Sequence, residues 1–251
     1  MRFLLPIIAI FFLPLAAKAQ VPANCSQLIV SIAPDWNTDH GRMQCFTLEN
    51  GKWAPSSAPI PVLFGKNGLA WGRGIAGQEE HGLHKQEKDR RAPAGIFRIG
   101  TIYTYDAALP PGANYPFHRV NDTDAWVDDP SLPEYNRHVS INPKYPPPWF
   151  EKQKMRQGDS AYRWLVEIRH NAEPPQPGAG SAIFFHIRRG EQKPTSGCTT
   201  MAEPNLSKLI TWLHADAHPC YVLLPRSEYL SKMKKWKLPD AQAASALISK
   251  D

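Results

Sequence analysis

The sequence predicts a mainly β protein: an antiparallel sandwich or barrel in a single domain, with long loops and a few short helices. Short apolar runs recur along the chain, and Gly, Pro, Asn and Asp punctuate them at short intervals. The 25 prolines and 8 tryptophans suit a loop-rich β frame and work against a helical bundle. A clear helical stripe appears only late, after residue 200.

Gln27 to Ala33 alternates and is rich in β-branched residues, which predicts the first strand. Asp35-Trp36-Asn37-Thr38-Asp39 then turns the chain, and Arg42 to Leu48 returns as the second. Asn50-Gly51 is a tight-turn signal ahead of Trp53. Pro61 to Phe64 and Leu69 to Gly74 read as further short strands, separated at Gly65 and Gly68. Residues 76–91 are polar and read as a loop. His81 and His84 have the spacing of a metal pair there, but the zinc-protease glutamate is missing and Gly82 disfavours a helix, so no metal site is predicted. Ala92-Pro93-Ala94-Gly95 leads into a strand from Ile96 to Tyr103.

Residues 104–160 are irregular and rich in turn formers. Their aromatics, among them Tyr115, Trp126, Tyr145 and Trp149, fit walls over a cleft better than a disordered linker. Tyr162 to His170 reads as a strand, and Asn171 to Gly180 as a Pro/Gly loop. Ile183-Phe184-Phe185 is a buried strand ending on His186. Leu206, Leu209, Ile210 and Leu213 mark a helix over Glu203 to Ala215, and Tyr221 to Leu224 is a closing strand. Ser227 is placed to cap a helix to about Lys235, and Asp240 to Lys250 forms one more short helix or a tail. The expected organisation is a hairpin region over 20–60, a main domain over 61–225 and a helical tail over 226–251.

Residues 1–19 have the layout of a secretion signal: Arg2, an apolar core from Phe3 to Ala16, and a small-x-small site at Ala17-Lys18-Ala19. The expected mature chain starts at Gln20 and is exported to the periplasm. No second long apolar run follows, so no stable membrane insertion is expected after cleavage. Removing Arg2 and Lys18 lowers the formal charge from +6 to +4, spread along the chain. That suits a polyanionic wall surface and lacks the basic clustering of a nucleic-acid footprint. Of the four cysteines, Cys25 and Cys45 are placed to close the first hairpin in an oxidising compartment, and Cys220 reads as a buried free thiol in a strand.

Function concentrates between Ala182 and Met201. A histidine at a strand end, His186, is followed by a basic loop and then Thr195-Ser196-Gly197-Cys198. A thiol is a good nucleophile as the thiolate, and a nearby imidazole is the usual means of making one. Gly197 permits a turn that other residues resist, exposing the sulfur and its amide. A buried structural cysteine is the alternative from these residues alone.

With those residues in place, the chain resembles the YkuD-type L,D-transpeptidase family, in a distant branch. His186 matches the family's strand-end histidine, and Gly197-Cys198 the Gly-Cys of its Ser-His-Gly-Cys motif. Arg91 to Phe97 resembles the family's Thr-Pro-x-Gly-x-Phe. Val127-Asp128-Asp129-Pro130 with Tyr135-Asn136, and Gly180 to His186, are supporting stretches. The likeness runs from about Pro61 to Leu224. Thr195 and Ser196 stand where the motif has Ser-His, Thr200 where an arginine often stands, and the twelve-residue interval from His186 to Cys198 is short.

The resemblance implies a YkuD-like β fold and acyl transfer on peptidoglycan stem peptides, with no cofactor. Cys198 would be the nucleophile and His186 the base, with backbone N–H groups around Gly197 as oxyanion donors. It implies inhibition by carbapenems as a covalent partner. Ser196, Arg188 and Arg189 flank the pocket and are candidates for substrate contact. Tyr135, Asn136, His138, His170 and Asn171 are candidates for the donor groove. An L,D-carboxypeptidase and a non-catalytic wall-binding protein on the same scaffold remain alternatives.

Overall fold

The computed structural model describes residues 19–78, 80–155 and 158–249. The secretion signal assigned to 1–19 lies, save Ala19, outside the described residues. Among the described residues no helix is long and apolar enough to cross a membrane.

The frame is a closed sheet. β1 (Gln27–Ala33), β13 (Cys220–Pro225), β6 (Ala92–Thr104), β10 (Trp164–Ile168), β11 (Phe184–Ile187), β12 (Thr199–Met201), β4 (Ile60–Leu63) and β2 (His40–Glu49) are neighbours in that order. Because β1 also pairs with β2, the path returns on itself as a barrel. β3 (Lys52–Pro55) extends it beyond β2, and β5 (Leu69–Trp71) and β7 (Phe117–Arg119) attach to β6. β8 (Asp124–Trp126) and β9 (His138–Ser140) pair with each other as a separate small sheet. The strands of residues 20–60 are thus part of the main barrel.

The interior is aromatic and aliphatic. Phe97, Phe185, Tyr221 and Trp236 are fully buried, and Phe185 packs edge-on against Tyr221 with ring centroids 4.6 Å apart. Burying a large side chain of this kind contributes on the order of 2–3 kcal/mol. The Pro-Ala-Gly-Ile-Phe segment of β6 has a steric reason for its glycine. Gly95 has φ +144°, and a Cβ there would sit 2.2 Å from the Ala76 carbonyl oxygen. Without that Cβ the loop lies flat on β6, with Ile75 N–H donating to Ile96 O at 2.7 Å and Ile96 N–H to Ala76 O at 3.0 Å.

The mainly β class and the barrel agree with the sequence expectation; several details differ. β1–β13, β11–β12, β5–β6 and β6–β7 are parallel pairings within an otherwise antiparallel sheet. Residues 104–160 hold β7, β8, β9 and the one-turn helix α1 (Phe150–Gln153), each too short for a periodic signal. Helix α2 (Glu203–Trp212) stops short of Ala215 because Gln27 caps its end: its amide donates to Trp212 O at 2.6 Å and accepts from His214 N–H at 2.8 Å. In α3 (Arg226–Lys232) the cap position is Pro225, and Ser227 lies inside the helix. A short α4 (Ser245–Ile248) ends the described chain.

The cysteine pairing is a correction. All four thiols are free, and Cys45 lies on β2 opposite Ile29, while the Cys25 thiol, donating to Gln27 O at 3.2 Å, neighbours that of Cys220. The parallel register of β1 with β13, Leu28 opposite Cys220, brings the two together. Oxidation followed by peptide mass mapping is therefore expected to recover a Cys25–Cys220 link. A Cys25–Cys45 link would contradict this register.

Candidate active site

Parallel pairing of β11 and β12 sets the site. Phe185 lies opposite Thr199 and His186 opposite Thr200, so Cys198, just ahead of β12, comes beside the start of β11. Cys198 and His186 line one cleft of about 670 Å³. His186 lies within β11 rather than at its end.

The turn carrying Cys198 is held from two sides. Thr195 is tied to the end of β4 through its N–H to Phe64 O at 2.8 Å and its carbonyl to Lys66 N–H at 2.9 Å. Its hydroxyl donates to Cys198 O at 2.6 Å and accepts Gly197 N–H at 3.0 Å. Gly197 has φ +149°, a region that favours glycine, and a Cβ there would crowd Arg91 O at 3.0 Å. Since the Gly197 N–H is already used, the Cys198 N–H is the remaining amide of this pair to face developing charge.

His186 Nδ1 contacts Ile187 O at 2.9 Å. A carbonyl only accepts, so Nδ1 carries the hydrogen and Nε2 keeps its lone pair. The ring packs edge-on to Tyr162, centroids 5.1 Å apart. The Cys198 thiol donates to Ala182 O at 3.4 Å, and no hydrogen bond joins it to His186. Burial pushes the Cys198 thiol up to about 11, against smaller lowering influences from a Phe184 backbone hydrogen bond and the Lys85 charge. Burial, with help from the Arg189 charge, pushes His186 down to about 4. At neutral pH both groups are uncharged.

The other predicted site residues divide. Ser196 and Arg189 line the cleft with Cys198. Arg189 grips Asp159 with both guanidinium arms, at 3.1 and 2.6 Å, and lies over the Tyr162 ring. Arg188 faces a neighbouring hollow and pairs with Glu191 at 3.5 Å. Tyr135, Asn136, His170 and Asn171 stand behind the cleft wall, all buried. Asn136 accepts Ala182 N–H at 3.0 Å, holding Ala182 at φ +56°, and donates to His170 O and Asn171 O. It thereby places the carbonyl that receives the Cys198 thiol. His170 donates from Nε2 to Ala179 O and accepts Arg73 N–H, and burial pushes it down to about 3. Asn171 ties the 171–180 loop through Gln176 and Gly180. His138 lies on β9 beside Asp124, off the cleft lining.

Sequence reading missed Lys85, Glu87 and Asp128, which line the cleft from the polar 76–91 loop and from the segment after β8. Lys85 is nearly buried, its ammonium between Gln86 O and Asp89. Glu87 accepts hydroxyl hydrogens from Tyr135 and Ser181, the latter at 2.8 Å. A loop without periodicity gives no signal that it folds over the Cys198 cleft. The one available hint was the Asp128-Asp129 stretch.

A family model described as the L,D-transpeptidase catalytic domain, YkuD, matches residues 37–222. A search of curated proteins gave no match. Among solved structures, the helical cell shape determining protein Pgp2 from Campylobacter jejuni is similar at 11% identity and a TM-score of 0.40. The similarity covers 83% of this chain and 51% of that one, so the chain spans about half the length of that protein. On the family match over most of its length, the chain belongs to the YkuD family of L,D-transpeptidase catalytic domains.

Proposed function

We propose that the chain is an exported cysteine acyltransferase that cross-links peptidoglycan stem peptides. The observation that carries this reading is the presence of Cys198 and His186 in one cleft, with the His186 Nδ1–H fixed on Ile187 O and Nε2 left to act as base. The thiol turns from Ala182 O toward the imidazole as it attacks the stem-peptide carbonyl. Sulfur bonds to carbon, and the thiol proton passes to His186 Nε2. The gap between about 11 and about 4 disfavours a resting ion pair, so proton transfer accompanies attack. The tetrahedral oxygen takes the Cys198 N–H, in a turn preset by Thr195. Collapse expels the terminal D-amino acid, which receives the proton from His186. A second stem-peptide amine then resolves the thioester.

The basic side of the cleft, including Lys66, Arg90 and Lys193, suits the carboxylates of the stem peptide. Arg189 is committed to Asp159 and serves by shaping the wall. The family membership supports the substrate class, and the signal-like segment read over residues 1–19 supports export to the periplasm.

Purified protein incubated with disaccharide-tetrapeptides is expected to give cross-linked dimers and free D-amino acid by mass spectrometry. Tripeptide without dimers would make it a carboxypeptidase, and unchanged substrate would reduce it to a binding protein. Cys198→Ala is expected to abolish turnover and any carbapenem adduct; His186→Ala is expected to lower turnover by on the order of 10²–10⁴-fold. Protonation gives a second check. The Cys198 pKa is raised, so thiolate is scarce at neutral pH and grows as pH rises. Alkylation of Cys198, followed by mass, is expected to accelerate steadily toward about pH 11 with no plateau near neutrality. A rate already maximal at pH 7 would show a resting thiolate–imidazolium pair instead.

A further inference from the structure

A second cluster of reactive side chains lies outside the cleft, where β7 meets the β8–β9 sheet. Asp124, fully buried on β8, faces two imidazoles. His118 Nε2 of β7 stands 2.8 Å from Asp124 Oδ2, and His138 Nε2 of β9 stands 3.0 Å from Oδ1. The three ligand-type atoms all lie within 4.8 Å of one another. The imidazole rings are 4.6 Å apart, and both pack against Tyr103.

We propose that His118, Asp124 and His138 form a binding site for one divalent transition-metal ion of the zinc class. The donor set favours this class: two imidazoles and one carboxylate suit zinc and its neighbours, whereas magnesium and calcium prefer oxygen donors. The spacing is close to that of a metal site, because bonds of about 2.0–2.1 Å in a tetrahedron place ligands roughly 3.3 Å apart. Support for the carboxylate is already present. Asn121 N–H donates to Oδ2 at 2.8 Å and Ser140 Oγ donates to Oδ1 at 2.5 Å, as outer partners orient a metal-binding carboxylate.

Charge gives an independent reason. The only ion-pair partners of the buried Asp124 among the described residues are these two histidines. Ser140, His118, Asn121 and His138 all hydrogen-bond to this carboxylate, which has no solvent exposure. Asp124 is fully buried and has no lysine or arginine ion-pair partner among the described residues, an arrangement that a cation at the cluster would offset. The histidine side chains are 35% and 20% exposed, which leaves a path from solvent. Binding requires each Nε2 to present its lone pair, so a hydrogen donated to Asp124 must leave that nitrogen. The ion would then join the β8–β9 sheet, which pairs with no strand of the barrel sheet among the described residues, to β7 on the barrel.

The test uses the full chain, stripped with chelator and dialysed, and titrated with zinc chloride by calorimetry. One equivalent is expected to bind, with micromolar or tighter affinity and a rise in Tm. His118→Asn and His138→Asn are expected to weaken binding at least tenfold and remove the Tm shift, whereas Cys198→Ala leaves both intact. Cobalt substitution of the wild-type protein gives a readout that needs no variant to fold: visible d–d bands are expected without a thiolate charge-transfer band. Absence of saturable zinc binding would overturn the proposal. So would equal binding by the histidine variants, or a thiolate band placing the metal at Cys198.

Discussion

The pairing of β12 in parallel with β11 is the constraint on which the functional half of the molecule depends. In an antiparallel hairpin, Cys198 and His186 would be set by the length of the turn between them. Here residues 188–198 swing back so that both strands run the same way, and register alone fixes the two residues on adjacent strands. The cost of such a connection is a loop that must return accurately. Thr195 provides the accuracy by bonding to the end of β4 on one side and across the Gly197-Cys198 turn on the other. Thr195 and Ser196, which depart from the family's Ser-His, are therefore not equivalent changes. The first keeps a hydroxyl that organises the turn, and the second faces the open cleft.

Burial governs the electrostatics of the pair. Both groups are pushed toward their uncharged forms, one up and one down, because the site is packed against Phe184, Tyr162 and Ala182. The positive charge nearby is placed on the walls or in fixed pairs, Lys85 with Asp89 and Arg189 with Asp159. The arrangement is a neutral thiol–imidazole couple inside a mixed polar cleft. Its reactivity would then depend on a bound substrate that turns the thiol and excludes water.

Much of the frame was legible in the sequence because its signals are local. Alternation marked β1 and β2, the Leu206–Leu213 stripe marked α2, and the apolar run before His186 marked β11. Parallel pairings were not legible, since no local pattern distinguishes a parallel neighbour from an antiparallel one. The same limit explains Cys25, whose neighbour in space is Cys220 and not the nearer Cys45. Chemistry and motif singled out Cys198 and His186, and the two line one cleft. Asn136, His170 and Asn171 were misplaced because a polar residue near a motif reads alike whether it touches a ligand or ties down a loop. Their hydrogen bonds run to backbone carbonyls and amides, so their role is to shape the 171–182 segment.

Closure of the barrel by β1 against β13 has a kinetic side. Leu28 and Cys220 are partners across nearly the whole chain, so the contact that completes the frame is among the most non-local it makes. Bringing such distant segments together carries a loop-closure cost of about 5 kcal/mol, met only after the intervening strands have assembled. Until β13 is available, β1 has β2 alone as a partner and the apolar interior is open along one seam. The last long strand in the sequence thus acts as the stave that seals the barrel. Tight folding therefore waits for the C-terminal part of the chain, which supplies β13.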